Sequence, residues 1–416
     1  MRTALADFIR DTPEGKEADA ILRSCVHCGF CTATCPTYQL LGDELDGPRG
    51  RIYLMKQVLE GAEVTRTTQL HLDRCLTCRS CETTCPSGVQ YGRLLDIGRA
   101  VVDRKVGRTP ADQARRWGLR RALLAPSVFG TALKLGRTVR GLLPAELRAR
   151  IPKALPEGIW PPPRHGRRMI ALDSCVQPSL APNIDAAAAR ILDRIGISLL
   201  RVSASGCCGA LPHHMDAEHE ARAMMKRNID AWWRHVEQGA EAILVTASGC
   251  GVMVKDYGHH FAQDPVYAER AARIGALARD PVEVITAEWA QIAPRVGPEH
   301  GATRVAFHPP CTLQHGMRLG GTVEKLLAAM GYALTPVANT HLCCGSAGTY
   351  SILQPEIANA LKANKLAALA AGAPELIASA NIGCMTHLAG GTSLPVRHWI
   401  ELLDARMAVP AKARVP

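Results

Sequence analysis

The sequence predicts an α+β multidomain protein: a helical N-terminal domain followed by a duplicated α/β domain of parallel βαβ units. Three observations predict it. The 16 cysteines of the 416-residue chain divide into eight between Cys25 and Cys85 and eight between Cys175 and Cys384. The N-terminal eight lie among segments of helical apolar spacing, with no convincing strand. The C-terminal eight repeat, because Cys175 and Cys207 enclose 31 residues, as do Cys311 and Cys343. Hydrophobic residues are 47% and charged residues 21% of the chain, a globular composition that argues against disorder.

From the N-terminus, Met1–Ala20 carries charges throughout and no apolar core, so no signal peptide is expected. No run of about 18 apolar residues spans a membrane. A reducing compartment follows, where clustered cysteines mean metal or catalysis more often than disulfides. Pro48–Gly61 and Tyr91–Lys105 read as helices, the first opened by proline and closed by glycine.

Around these helices stand two complete motifs, Cys25-x2-Cys28-x2-Cys31-x3-Cys35-Pro36 and Cys75-x2-Cys78-x2-Cys81-x3-Cys85-Pro86. Each is the run that holds a [4Fe–4S] cluster, and in two-cluster ferredoxins the fourth cysteine serves the other cluster. The expected sets are Cys25, Cys28, Cys31 and Cys85 for one cluster, and Cys75, Cys78, Cys81 and Cys35 for the other. Structural zinc uses two C-x2-C pairs and leaves the third cysteines and both prolines unexplained. The helical gap from Cys35 to Cys75 favours a helical ferredoxin domain. Arg23, Arg49, Arg51, Arg74 and Arg79 lie near the motifs, where positive charge raises a cluster's potential.

A basic segment comes next. Between Arg104 and Lys153 there are thirteen Lys and Arg against Asp112 and Glu146, in a chain of net charge +11. Its apolar residues fall at roughly helical spacing, interrupted by Pro126 and Pro144. A solvated linker, a docking arm and a membrane-surface contact all fit it. Charge confined to one segment, with aromatics at 4%, does not predict a nucleic-acid binder.

Each C-terminal unit alternates strand and helix. Strands are expected over 168–173, 196–202 and 241–247, then 303–308, 332–337 and 375–380. Helices are expected at Asn183–Ile195, Asp216–Val236 and about Pro355–Ala371. Such alternation predicts parallel sheets with ligands at their carboxyl edge, where Cys175, Cys207, Cys208 and Cys250, and Cys311, Cys343, Cys344 and Cys384, would gather. Either set is a candidate for a further iron–sulfur cluster. Met253 and His387 stand three residues after the last cysteine of each set, and His308 is a spare donor near the second. The expected divisions are 1–106, 107–168, 169–300 and 301–416. No dinucleotide fingerprint, phosphate loop or flavin site is recognisable.

The paired C-x31-C-C-G repeats resemble the cysteine-rich CCG domain of heterodisulfide reductase and its relatives. In its fullest form that domain has a fifth cysteine, where this chain has Met253 and His387. Over residues 15–400 the chain resembles the iron–sulfur subunits of bacterial glycolate oxidases, on CVHCGFCTATCPTYQLLGDELDGPRGRIYLMKQVLEG, DRCLTCRSCETTCPSGVQYGRLLDIGR and the paired repeats. The resemblance implies a cytoplasmic, heteromeric complex on the inner face of the membrane. In it, two FAD-binding-type subunits oxidise glycolate to glyoxylate. This chain, without FAD and without catalysis of its own, would take the electrons toward quinone. The same architecture serves iron–sulfur subunits of anaerobic glycerol-3-phosphate and D-lactate dehydrogenases. A thiol–disulfide enzyme of the heterodisulfide reductase type is the rival reading.

Overall fold

The structure, a computed structural model, describes residues 1–142, 144, 151–297 and 302–407. Part of the basic segment, the expected boundary at 300/301 and the end of the last expected division lie outside the described residues.

The N-terminal third is helical. Pro13–Ser24, Pro36–Leu41, Pro48–Leu59, Arg66–Asp73 and Tyr91–Val106 are its main helices. The first has Pro13 in its first turn, and the Thr12 side chain accepts a hydrogen bond from Gly15 N–H, which satisfies one orphan donor of the first turn. Leu22, Met55, Leu59, Leu72, Leu94 and Leu95 meet in the core. Each such side chain contributes roughly 1.5–3 kcal/mol by leaving water.

In the basic segment, Pro110–Leu124 and Pro126–Val139 form two helices. The break falls at Pro126, which holds Ala125 in extended conformation. The first helix is anchored. Arg116 pairs with Asp73 of the N-terminal domain and Arg120 with Glu220 of the next domain. Arg108, just before it, bridges Asp73, Asp103, Asp112 and Asp216. The second helix buries no residue and exposes Val128, Leu135 and Val139.

The rest of the described residues form two four-stranded parallel sheets and the helices that connect their strands. The first contains β1 (Arg167–Ala171), β2 (Ile197–Arg201), β3 (Ile243–Leu244) and β4 (Ala278–Arg279), in the order β2-β1-β3-β4. The second contains β5 (Arg304–His308), β6 (Ala333–Leu334), β7 (Leu376–Ser379) and β8 (Val396–His398), in the order β6-β5-β7-β8. Strands β4 and β8, each at one edge of its sheet and two and three residues long, were not expected. Expected strand 241–247 shrinks to Ile243–Leu244 because the chain turns into helix Ser248–Lys255. The crossover helices Asn183–Arg194, Glu218–Glu237 and Pro355–Ala370 lie where expected.

The two units share one core. Ile184, Ile191, Leu199 and Leu244 of the first pack in the same cluster as Val305, Phe307, Leu327 and Trp399 of the second. His398 Nε2 lies 3.0 Å from the Thr246 carbonyl, closing the seam between the units.

Candidate metal centres

The first motif is a loop with left-handed residues at His27 and Gly29, and the second repeats this at Thr77 and Arg79. Thr77 is β-branched, so its φ of 53° is strained. The matching turns wrap three thiols of each motif inward. Cys25, Cys28, Cys31 and Cys85 line one cavity, with Val26, Phe30, Ile52 and Val89 around them. Cys35, Cys75, Cys78 and Cys81 line a second, with Leu76, Arg51 and Arg79. Each motif's fourth cysteine thus lies at the other motif's cavity, and Cys81 borders both. No disulfide joins any of the sixteen cysteines.

Burial pushes the Cys31 thiol up to about 11, with Cys25, Cys28 and Cys85 adding to it. Burial likewise raises Cys78 and Cys81, each pushed further by neighbouring thiols. Crowded, buried thiols of this kind ionise together only when a multivalent cation compensates them. Four sulfur donors in an apolar cavity fit an iron–sulfur group.

Of the five arginines singled out, Arg49 lines the first cavity, and Arg51 and Arg79 line the second. Arg51 is fully buried. Its Nε donates to the His71 carbonyl at 2.7 Å, its Nη1 to Thr37 Oγ1 at 3.1 Å and its Nη2 to Asp46 at 3.3 Å. Arg74 Nη1 donates to the other Asp46 oxygen at 2.8 Å. Arg23 departs from the expectation: it pairs with Asp19 on the surface and lines neither cavity.

In each repeat, three connections bring four thiols together. Cys207 interacts with Cys175 and Cys208, and Cys208 with Cys250. In the second repeat Cys311 Sγ lies 4.0 Å from Cys343 Sγ, and Cys344 interacts with Cys343 and Cys384. The glycine of each Cys-Cys-Gly has a structural reason. Gly209 and Gly345 have φ of 91° and 88°. A Cβ there would stand 3.1 Å from the Ala221 carbonyl and 2.5 Å from that of Ala358. Each glycine N–H also donates to the first sulfur of its pair, Cys207 or Cys343, at 3.5 Å.

The two sets differ in their surroundings. Beside the second, Lys365 is buried with its Nζ donating to Asn339 O at 2.8 Å and to Thr340 O. Burial lowers its pKa and all four thiols of the set pull it back up. In the first repeat, neutral Asn228 holds the corresponding loop, through Gly206 and the Cys207 carbonyl. A ring nitrogen of His308 lies within 4.8 Å of the sulfurs of Cys344 and Cys384. Burial keeps that ring neutral, with its pKa pushed down to about 3. His387 is turned to the Ala358 carbonyl, 3.2 Å from its Nε2, and Met253 is buried in the first repeat's core.

The N-terminal domain touches both repeats unequally. Cys78 packs in one apolar cluster with Leu76, Cys343, Tyr350 and Leu361, and Cys311 lies against it. Tyr350 Oη donates to the Arg74 carbonyl at 2.9 Å, and Thr83 Oγ1 lies 2.8 Å from His315 Nδ1. Toward the first repeat the contacts are ionic, Asp96 with His213 at 3.3 Å and Arg79 with Asp256 at 3.6 Å.

Sequence reasoning missed Lys365, Tyr350 and the Asp96–His213 pair. Lys365 had a signal: with Ile357, Leu361 and Leu369 it continues the buried stripe of its helix, where a charge is out of place. The other two depend on contacts between domains, which spacing does not encode.

Both thiol-bearing regions match families of known proteins. Residues 21–89 match the family described as a 4Fe-4S dicluster domain, and residues 170–255 and 305–389 match the cysteine-rich domain family. The chain is 54% identical to the glycolate oxidase iron-sulfur subunit of Escherichia coli, over 97% of this chain and 98% of that protein. It is 28% identical to a probable glycolate oxidase iron-sulfur subunit of Bacillus subtilis, over 88% of each. A lactate utilization protein A of Exiguobacterium is 24% identical over 56% of this chain and 94% of its own length.

Proposed function

The chain belongs to the family of glycolate oxidase iron–sulfur subunits, and from that premise we propose that it is the electron-carrying subunit of a glycolate-oxidising complex. The observation that carries this reading is similarity along nearly the whole chain to such a subunit, with two four-thiol sets side by side in its first third. The lactate-related protein matches little more than half of the chain, which favours glycolate over D-lactate.

Two flavin-bearing partner subunits oxidise glycolate to glyoxylate, and this chain accepts the electrons and delivers them toward quinone. When bound, a [4Fe–4S] group supplies one-electron storage, so two side by side match the two electrons a flavin releases. Cys25, Cys28, Cys31 and Cys85 hold one such group, and Cys35, Cys75, Cys78 and Cys81 the other. Arg51 and Arg79 favour added negative charge at the second site. Buried Leu76 screens the second site from water. Around the first site Cys28 is exposed, with Val26 at 67% and Phe30 at 62% exposure, an apolar surface suited to a redox partner.

The second repeat holds a third iron–sulfur group. Support comes from buried Lys365, a cation whose neighbours are the four thiols, and from Cys78, packed against that repeat's sulfurs. No described helix is long and apolar enough to cross a membrane. Helix Pro126–Val139, with its exposed Val128, Leu135 and Val139 beside Lys134, lies against the inner face of the cytoplasmic membrane.

The test is anaerobic purification of the chain with its flavoprotein partners, followed by addition of glycolate, D-lactate and glycerol 3-phosphate in turn. Glycolate alone should bleach the iron–sulfur absorption within the turnover time. Bleaching by another of the three and not by glycolate would overturn the substrate assignment. Stoichiometric zinc without iron would overturn the function.

A further inference from the structure

The two repeats are alike in their cysteines and unlike three residues before the first of them. The first repeat has Leu172 before Cys175, and the second has His308 before Cys311. Leu172 is a core residue of its repeat, packed with Cys208. His308 ends strand β5 and is almost wholly buried. A buried imidazole in place of leucine has a desolvation cost that packing alone does not offset.

The hydrogen bonds around His308 favour one tautomer. The Ser379 hydroxyl donates to the His308 carbonyl at 3.1 Å, and His308 Nδ1 lies 3.0 Å from the same oxygen. With the one hydroxyl proton on that carbonyl, the oxygen accepts from Nδ1; the ring proton then sits on Nδ1 and Nε2 keeps its lone pair. This is how proteins orient a metal-binding histidine: one ring nitrogen donates to a fixed acceptor, leaving the other free to ligate. The sulfurs of Cys344 and Cys384 lie within 4.8 Å of a ring nitrogen of His308 and of each other, a spacing that one metal ion can bridge. By contrast, His387 faces a carbonyl.

We propose that His308 is a nitrogen ligand, through Nε2, of the iron–sulfur group that the second repeat would hold, alongside the thiolates of Cys344 and Cys384. The inference rests on the reading that this repeat holds such a group. A neutral imidazole contributes no negative charge where a thiolate would, and histidine ligation raises the potential of an iron–sulfur centre, as in Rieske sites. With Lys365 alongside, the second repeat becomes a site of high potential, adjoining Cys78 of the second motif. Leu172 gives the first repeat no such donor.

The experiment uses the full chain, purified anaerobically, with total iron measured and 14N hyperfine couplings recorded on the reduced or oxidised paramagnetic centres. The wild type should carry about twelve irons, four per group. One strong 14N coupling should be present. It should switch to the 15N pattern on labelling with 15N-histidine, persist in His387→Ala, and vanish in His308→Leu. His308→Cys should keep all the iron, lose the coupling and lower the midpoint of that centre, so that a folding failure of the leucine variant does not decide the matter. About twelve irons with no strong nitrogen coupling, or a coupling unchanged in His308→Cys, overturns the role of His308 alone. About eight irons in the wild type, unchanged by Cys343→Ser, overturns the third group and the inference with it.

Discussion

At the scale of single residues, the thiol sets and the polar groups behind them make separable predictions. Cys35 lies at the cavity of the second motif, so Cys35→Ser should abolish or distort the paramagnetic signal of the second-motif group and leave that of the first intact. Loss confined to the first-motif group would reverse the assignment. Asp46 is fully buried and receives Arg51, Arg74 and His71. Asp46→Ala leaves the Arg51 charge buried without its carboxylate. It should destabilise the N-terminal domain by about 3–5 kcal/mol, read as a lowered denaturant midpoint; an unchanged midpoint would show that the carbonyl and hydroxyl acceptors suffice. The eight N-terminal cysteines and both prolines were legible in the sequence as candidate ligands and turns because their spacing is local. Lys365 and Asp46 were not, because each is defined by what folds over it. Asp46 reads in sequence as one more surface acid in GDELDGPRG, and its three basic partners span Arg51 to Arg74.

Among the elements, the main helices and strands β1, β2, β3, β5, β6 and β7 were legible from the sequence pattern, whereas β4 and β8 were not. The contacts between elements were not legible at all, and one of them should respond to pH. Asp96, on helix Tyr91–Val106, is pulled down to about 2, against its burial, by His213, with His214 and Arg99 beside it. His213 is raised despite burial, through Asp96, Glu218 and Asp216. A raised imidazole stabilises fully below its ordinary value of 6.5 and loses that contribution as pH climbs through the folded value. A depressed carboxylate stabilises above its ordinary 3.8 and fails as pH falls toward 2. The clasp is therefore complete between those ordinary values. Amide exchange along Tyr91–Val106, corrected for intrinsic rate, should accelerate from pH 6 to pH 8.5, and Asp96→Asn should flatten the dependence. A second element makes its own prediction. Leu135→Asp on helix Pro126–Val139 places a charge on its exposed apolar stripe and should weaken binding to vesicles containing anionic lipid several-fold. Equal binding by the variant would remove this helix from the membrane contact.

For the molecule as a whole, division of labour among chains predicts that the purified subunit reduces no dye with glycolate, and that activity returns on adding both flavoprotein partners. Turnover by this chain alone would contradict the proposal.

The unequal seam between the N-terminal domain and the two repeats has one more consequence. Duplication creates two interchangeable copies related by approximate symmetry, and a single neighbour breaks that symmetry. The N-terminal domain has one buried thiol set, and Cys78 lies in the second repeat's apolar cluster, while the first repeat meets the domain through Asp96, Arg79 and their partners. Position beside Cys78, with His308 and Lys365, would give the second repeat a duty that the first does not share. A chimera carrying the first repeat's strand–cysteine segments at both places would fold by the shared pattern, yet would leave its sulfurs facing Cys78 without histidine or lysine. On that reading the two halves share a pattern but not a place, and neither could stand in for the other.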